Sequence, residues 1–443
     1  VNVQSHRIVI IGGGPSAIAA ALEATKYTHD IVMVSAEPVG GNAVLHSLVP
    51  SKALIEAAHH RQYLVRLGAD PDTITLSQVM ALQEKQIKTI VETTQKALNQ
   101  VQTIFASAHL EKHHGEIHVV TDSQQHFVGE TVIIANGSRQ RLIPGLKPDG
   151  QSVLLPRAFH TLKSIPHSLA IIGAGATGLE AASLFAHFGT HVTLYTPLPQ
   201  LLPQFSSPLR QVFTNHLEDL GIQMQFNRRI ASLARNDEGI ILEWNNPETG
   251  EKGQSVHHTI FLATGREGMW AADELIRLGF DVDPQGFFIT DRVGQTNVPH
   301  VYAVGDAQGR PLLANKASWQ GVQAVRHAFG HAASLPPLFV EAIYTIPELA
   351  RFGTIDPDHL DIWEAKVDHP LMYKPFLVGH ELGLLRVYTR NDRIEGAEAI
   401  GTQAADVISL LAMVNPQVTL PQLIQSSAAS PTMLEWLQHL HRI

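Results

Sequence analysis

The 443-residue chain contains no cysteine. That excludes a structural disulfide, a thiolate metal site and any reaction that runs through a thiol nucleophile. Charge is also sparse. Only 16% of residues are charged, and 32 Lys and Arg stand against 41 Asp and Glu, a formal net charge of −9. No basic block stands out, so neither nucleic acid nor an anionic membrane surface is an expected partner. Long hydrophobic runs are missing as well. The longest apolar stretch, between Leu169 and Phe188, is interrupted by Gly173, Gly175, Gly178 and Glu180. It reads as a strand, a turn and a buried helix, and no membrane insertion is expected. The opening residues Val1 to His6 lack a charged segment followed by an apolar one, and the expectation is a cytoplasmic protein.

Two chemistries are missing from the motif inventory. No G-x-S-x-G segment offers a serine nucleophile. Histidine is abundant, with 25 residues and adjacent pairs at His59-His60, His113-His114 and His257-His258. Neighbouring side chains diverge on strands and helices alike, and no H-E-x-x-H spacing occurs, so no metal site is expected.

What is present is a repeated strand–glycine turn–helix unit. The first runs from Arg7 through Gly12-x-Gly14-x-x-Ala17 into an Ala-rich helix. The second runs from Leu169 through Gly173-x-Gly175-x-x-Gly178 into Leu179–Phe188. Each is followed by a β-rich run, Asp30–Val34 and His191–Tyr195. In such a unit the first glycine makes the tight turn and the second lets backbone approach a pyrophosphate. The third, small residue lets helix and strand pack closely, and the helix N-terminus faces the negative charge. One such motif is weak evidence. Two in the same context predict two dinucleotide-binding domains. The residue that would meet a ribose ends the second strand of each unit: Ser35, with Glu37 as a substitute, and Thr196. Neither Ser35 nor Thr196 is acidic, and the next basic residue after Thr196 is Arg210. The choice between NADH and NADPH therefore stays open, with Gly178 leaning to NADH.

Between the units, helical spacing of apolar residues predicts a helix over 77–102, and strands are expected at 116–120 and 130–134. Loop signals near 143–150 and 334–337 suggest boundaries. The expected division is 1–145 and 267–335 for a first nucleotide domain in two parts, 146–266 for the second, and 336–443 for a C-terminal domain.

Several segments together resemble the pyridine nucleotide–disulfide oxidoreductase family, of the glutathione reductase and dihydrolipoamide dehydrogenase type. Val39 to Leu54, with Gly41 and Pro50-Ser51-Lys52, is similar to the family's redox-active helix. Val132 to Gly137 and Phe261 to Gly265 resemble its two A-T-G segments, the first with Asn136 in place of Thr. Val301 to Asp306, with Gly305, resembles its second flavin-binding motif, and Ala342 to Glu348 the start of its dimerisation domain. The resemblance implies an α/β fold with two Rossmann-like dinucleotide-binding domains plus a C-terminal α+β dimerisation domain. It further implies FAD in the first cradle, NADH or NADPH in the second, and a homodimer.

The same resemblance exposes two losses. The family's cysteine positions fall on Ala43 and Leu48, and its histidine base on Ser430, in Ser430-Pro-Thr-Met-Leu-Glu435. Without a thiolate, disulfide exchange is excluded. Retained are Lys52 and Glu180, which the family pairs beside the flavin as a fixed cation and its partner. The segment Gly41 to Lys52 also resembles a cysteine-less, lipoamide-dehydrogenase-like branch of bacterial NAD(P)H:quinone reductases. An apolar wall of Ala43, Val44 and Leu48 suits a flat, small-molecule electron acceptor. The expected activity is FAD-dependent transfer of electrons from NAD(P)H to a quinone. A soluble transhydrogenase, an NAD(P)H oxidase and a catalytically retired flavin sensor or scaffold are the alternatives.

Overall fold

A computed structural model describes residues 3–70, 73–368, 370–378 and 382–443. The chain forms two compact units: residues 1–51, 80–141 and 265–336, and residues 52–79, 142–264 and 337–443.

The first unit is built on a seven-stranded sheet. Its main strands are β1 (Val3–Ile11), β2 (Ile31–Ser35), β3 (Gln102–Phe105), β4 (Ala108–His113), β5 (Glu116–Thr121) and β6 (His126–Ile134), in the spatial order β3-β2-β1-β6-β5-β4. β1, β2, β3 and β6 run parallel, and Val301–Ala303 adds a parallel strand along the C-terminal half of β6. β4 and β5 return antiparallel along its N-terminal end. Ile8 to Ile11 are all buried, the continuous apolar run of a strand covered on both faces. One face meets Ala17, Ala20, Ala21 and Ala24 of the helix Pro15–Ala24. The other meets Leu275, Phe280 and Phe288. The expected helix over 77–102 is Leu76–Ala97, because Gln102 already belongs to β3. β6 starts at His126, not at 130, because pairing with β5 buries His126 and Phe127.

The second unit holds a five-stranded parallel sheet, in the order Gln223–Gln225, His191–Tyr195, Ser168–Ile172, Ile260–Leu262, Val153–Leu154. An antiparallel three-stranded sheet over 229–257 accompanies it. The C-terminal part is a six-stranded antiparallel sheet from Glu341 to Arg442, packed by the helix Ala404–Met413 and a core around Trp436. These three sheets and the first unit's mixed sheet, with its parallel strands β3-β2-β1-β6, match the expected fold class. Glu398 is fully buried in this unit. Its carboxylate accepts from the Tyr388 hydroxyl at 2.8 Å and from the Ser206 backbone N–H at 2.9 Å, so both oxygens are satisfied.

Burial lowers the pKa of His59, His187, His216 and His257 in this unit, and of His118 in the first. These rings fold neutral, while in the unfolded chain they take up protons near pH 6.5. Their stabilisation is complete above that pH and is lost as pH falls towards the depressed folded values, by at most ~1.4 kcal/mol per pH unit for each ring. Buried Glu348, whose pKa is raised chiefly by desolvation, works in the opposite direction but is a single group. The thermal midpoint at pH 5.5 is therefore expected to lie below that at pH 7.5, by several degrees at most. A midpoint unchanged or higher at pH 5.5, by scanning calorimetry, contradicts this assignment.

Candidate functional site

In the first unit, β1 ends at Gly12, whose φ is +121°. A Cβ there would lie 2.2 Å from the Ala135 carbonyl oxygen, so only glycine fits this turn. The following helix starts after Gly14, with Pro15 in its first turn and no side chain capping its N–H groups. Those donors are orphans that an anion can satisfy. Gly14 has open space where a Cβ would stand. The next loop closes from beyond: Gly40 N–H donates to the Gly13 carbonyl at 2.7 Å, and a Cβ at Gly41 would come within 2.6 Å of Gly14 Cα. Beside the turn, both polar atoms of the Asn136 amide are buried without a hydrogen-bond partner. Uncapped donors, a cradle kept free of side chains and an orphaned amide fit a bound dinucleotide.

The other expected residues of this unit are placed as follows. Ala17 is fully buried. Ser35 Oγ donates to the Glu37 carbonyl at 2.7 Å, and His46 Nε2 donates to the Glu37 carboxylate at 2.8 Å. Both polar side chains at the end of β2 are thus engaged locally. Gly137 and Gly305 take positive φ, +74° and +67°. Asp306, in the short 3-10 turn Gly305–Gln308, accepts from Ser138 Oγ at 2.9 Å and lies 3.8 Å from the Arg266 guanidinium. Lys316 is buried nearby, its pKa lowered by burial against the opposing pull of Asp306. Gly265 lies beside the Arg141 and Arg310 guanidinium groups, at 3.6 and 4.0 Å from its Cβ position. Sequence reading missed Ser138, Arg266 and Lys316. Arg266 directly follows the Ala-Thr-Gly265 segment, the one hint of its place.

The family's cysteine positions are structurally ordinary. Ala43 lies in the short helix Gly41–Leu45, and Leu48 opens the helix Leu48–Arg66 with its side chain exposed. The break between them is tied by the Asn42 amide donating to Ser47 Oγ at 2.9 Å.

The second unit repeats the cradle. Gly173 has φ +108°, and a Cβ there would lie 2.2 Å from the Ala263 carbonyl oxygen. The helix Ala176–His187 begins after Gly175 with no side-chain cap, and Gly175 has open space around its Cβ position. A Cβ at Gly178 would lie 1.8 Å from the Gly173 carbonyl oxygen. Here the third position must be glycine, whereas the first cradle accommodates Ala17. Thr196 is buried, and its hydroxyl accepts from the Leu198 N–H at 3.2 Å. Its carbonyl accepts from the Arg228 N–H at 2.9 Å. Arg228 therefore stands next to Thr196 in space, closer than Arg210 in sequence had implied. Its guanidinium stacks over Trp244 at 3.8 Å and lies 3.8 Å from Glu251.

Lys52 and Glu180 meet in this unit. Lys52 Nζ donates to both carboxylate oxygens, at 2.9 and 2.8 Å. Glu180 also accepts from the Tyr344 backbone N–H at 2.9 Å, and the Tyr344 ring stacks 4.6 Å from Lys52 Nζ. Helix Leu48–Arg66 supplies the cation, helix Ala176–His187 the anion and the segment 341–348 the third wall. Tyr344 was not anticipated; burial, with Glu348 and Glu180, raises its pKa, so the ring stays neutral against the ammonium. Ser430 is exposed, while Glu435 behind it is buried with one carboxylate oxygen unpartnered.

The chain thus carries one glycine cradle in each unit and, in the second, a lysine clamped by a carboxylate, with no thiol anywhere in its sequence. Residues 6–321 match the pyridine nucleotide-disulphide oxidoreductase family. The chain belongs to that family, whose members bind FAD and NAD(P)H, and it does so without a redox disulfide. It is 26% identical to a dihydrolipoyl dehydrogenase of Bacillus subtilis over 447 residues, covering 97% of this chain and 96% of the relative. It is 27% identical to that of Haloferax volcanii, covering 97% and 94%. Among solved structures it superposes on LpdA from Mycobacterium tuberculosis with a TM-score of 0.86 at 24% identity, covering 98% and 99% of the two chains. The HOCl-induced flavoprotein disulfide reductase RclA from Escherichia coli gives 0.84 at 19% identity, with 98% and 99% covered. Among the described residues, no helix is long and apolar enough to cross a membrane.

Proposed function

We propose that this protein is an FAD-dependent NAD(P)H oxidoreductase that delivers electrons to a small quinone. The observation that carries the reading is the Lys52–Glu180 pair, bidentate at 2.8–2.9 Å, in a chain without any cysteine. In the disulfide reductases the pair serves a flavin that works with a thiol couple. Here the thiol half is gone and the charged half is kept.

Gly12, Gly14, Ala17, Ser35, Glu37, Gly41, Gly137, Gly305 and Asp306 would hold FAD, and Gly173, Gly175, Gly178, Thr196 and Gly265 the nicotinamide nucleotide. FAD, when bound, supplies a two-electron centre that accepts hydride from one side and passes electrons on. The chain's own residues do the rest. The uncapped helix N-termini after Gly14 and Gly175 hold pyrophosphate. Lys52 presents a fixed positive charge where the resemblance places the flavin, and Glu180 holds that lysine in position through two hydrogen bonds. Ala43 and Leu48 offer an apolar surface in place of two sulfurs. NADH and NADPH are both proposed as donors: Thr196 is neutral, and the Arg228 guanidinium is engaged by Trp244. The proposal includes the division at 1–145 with 267–335, 146–266 and 336–443, a homodimer through the C-terminal sheet, and a cytoplasmic location.

The test is anaerobic titration of the purified, FAD-loaded protein. One equivalent of NADH or NADPH is expected to bleach the flavin absorbance without the long-wavelength band of a neighbouring thiolate, and a small quinone to restore it. Failure of both nucleotides to bleach the flavin would favour a retired flavoprotein. Recovery with a second pyridine nucleotide but not with quinone would make it a transhydrogenase.

A further inference from the structure

A second constellation lies on the outer strands of the first unit, apart from every residue named for nucleotide binding. Strands β4, β5 and β6 form an antiparallel meander in which Glu111 faces His118, His113 faces Glu116, and Val120 faces His126. Alternation of side chains along a strand puts Glu111, His113, Glu116, His118 and His126 on one face. The three imidazoles occupy diagonal positions of that face, within reach of one another for long side chains. Their ring centroids are 4.7 Å apart for His113 and His118, and 6.1 Å for either ring and His126. One nitrogen from each lies within 4.8 Å of those of the other two.

We propose that His113, His118 and His126 bind one divalent ion of the zinc and copper type, tying the β4–β5–β6 meander together. Imidazole nitrogens without thiolates or a carboxylate cage select this borderline class over calcium or magnesium. His118 and His126 are buried and His113 is exposed, so the ion has two fixed ligands and one that swings at the entry. His118 Nδ1 is buried with no hydrogen-bond partner, a vacant lone pair or N–H that carries a desolvation cost unless something meets it. Glu111 supplies the outer support. Its carboxylate takes His113 Nε2 at 2.6 Å and His109 Nε2 at 3.1 Å. That leaves His113 Nδ1 for the ion and sets the ring as carboxylates do in histidine metal sites. Bonds of about 2.0–2.1 Å hold ligand nitrogens well inside a 4.8 Å separation, and rotation of the exposed His113 can bring its ring into that range. A water would complete a tetrahedron.

The experiment is calorimetric titration of the FAD-loaded, EDTA-treated protein with zinc chloride, repeated with copper(II), and thermal unfolding with and without one equivalent. The wild-type chain is expected to bind one ion with a dissociation constant in the micromolar range or tighter and to unfold at a higher temperature with it. His113→Ala, at an exposed position, should fold normally and lose about 100-fold in affinity or more, and Glu111→Gln about 10-fold. A His59→Ala/His60→Ala control should bind as wild type. The proposal is overturned by no stoichiometric binding by the wild-type chain, or by equal affinity in wild type and His113→Ala. Because the other histidines contribute to any weak background, His126→Gln serves as the second site variant. An affinity unchanged there also overturns it.

Discussion

Gly178→Val is expected to abolish reduction of the protein by NADH and NADPH while leaving its FAD content intact. A Cβ at Gly178 would sit 1.8 Å from the Gly173 carbonyl oxygen, well inside van der Waals contact. The two branches of valine add further atoms to that clash, so the helix Ala176–His187 must move off the strand Ser168–Ile172. Its N-terminus then no longer presents open N–H groups beside Gly175. The dissociation constant for either nucleotide should rise at least about 100-fold, equivalent to roughly 2.7 kcal/mol. FAD should remain, because the Gly12 cradle belongs to the other unit. Flavin absorbance per chain and nucleotide titration by fluorescence separate the two effects. Unchanged nucleotide affinity would falsify the assignment of the second cradle.

The second large effect is expected at Lys52. Lys52→Met should slow anaerobic bleaching by NADH about 100-fold, the scale seen when one charge-stabilising donor is removed. It should also shift the flavin potential to more negative values, since the reduced form gains no compensating cation. The variant leaves buried Glu180 with the Tyr344 N–H, at 2.9 Å, as its one remaining donor among the described residues. Stability is expected to fall as well, because an unpaired buried carboxylate is costly. Lys52→Met/Glu180→Gln distinguishes the two consequences. Stability should recover in the double variant, whereas the slow reduction and the shifted potential should remain. If the rate recovers together with stability, Lys52 is a structural residue and its assigned role fails.

Much of the fold was legible because its signals are local. Both glycine turns, the strand His191–Tyr195 and the helix after Gly175 lie where periodicity and spacing put them. Less legible was anything set by pairing between distant strands. Arg228 reaches Thr196 only because Gln223–Gln225 runs parallel to His191–Tyr195, which no linear count of residues reveals. The three histidines of β4, β5 and β6 are likewise gathered by register; of the adjacent pairs that drew attention in sequence, the pair His113-His114 supplies one of the three and the others none. Glu37 is a case of local competition. It stands at the right distance from the first cradle for a ribose, yet in the folded chain its carboxylate is held by His46. Tyr344 could not be read at all, because its backbone N–H and not its side-chain type makes the bond to Glu180.

The buried Glu398 bears on whether this chain can be taken apart. Its carboxylate joins Tyr388 of the C-terminal sheet to the start of the helix Ser207–Asp219, in the part of the chain that carries the second glycine cradle. The segment 344–346 makes further crossings, to Glu180, Ser183 and His216. Excising either part would strand hydrogen-bonding groups on both sides of the cut, including a carboxylate with nowhere to go. The C-terminal sheet is therefore not a cassette that can be exchanged between relatives by joining sequences at residue 336. A chimaera that keeps its solubility must carry Glu398, Ser206 and the Tyr344 segment from the same parent.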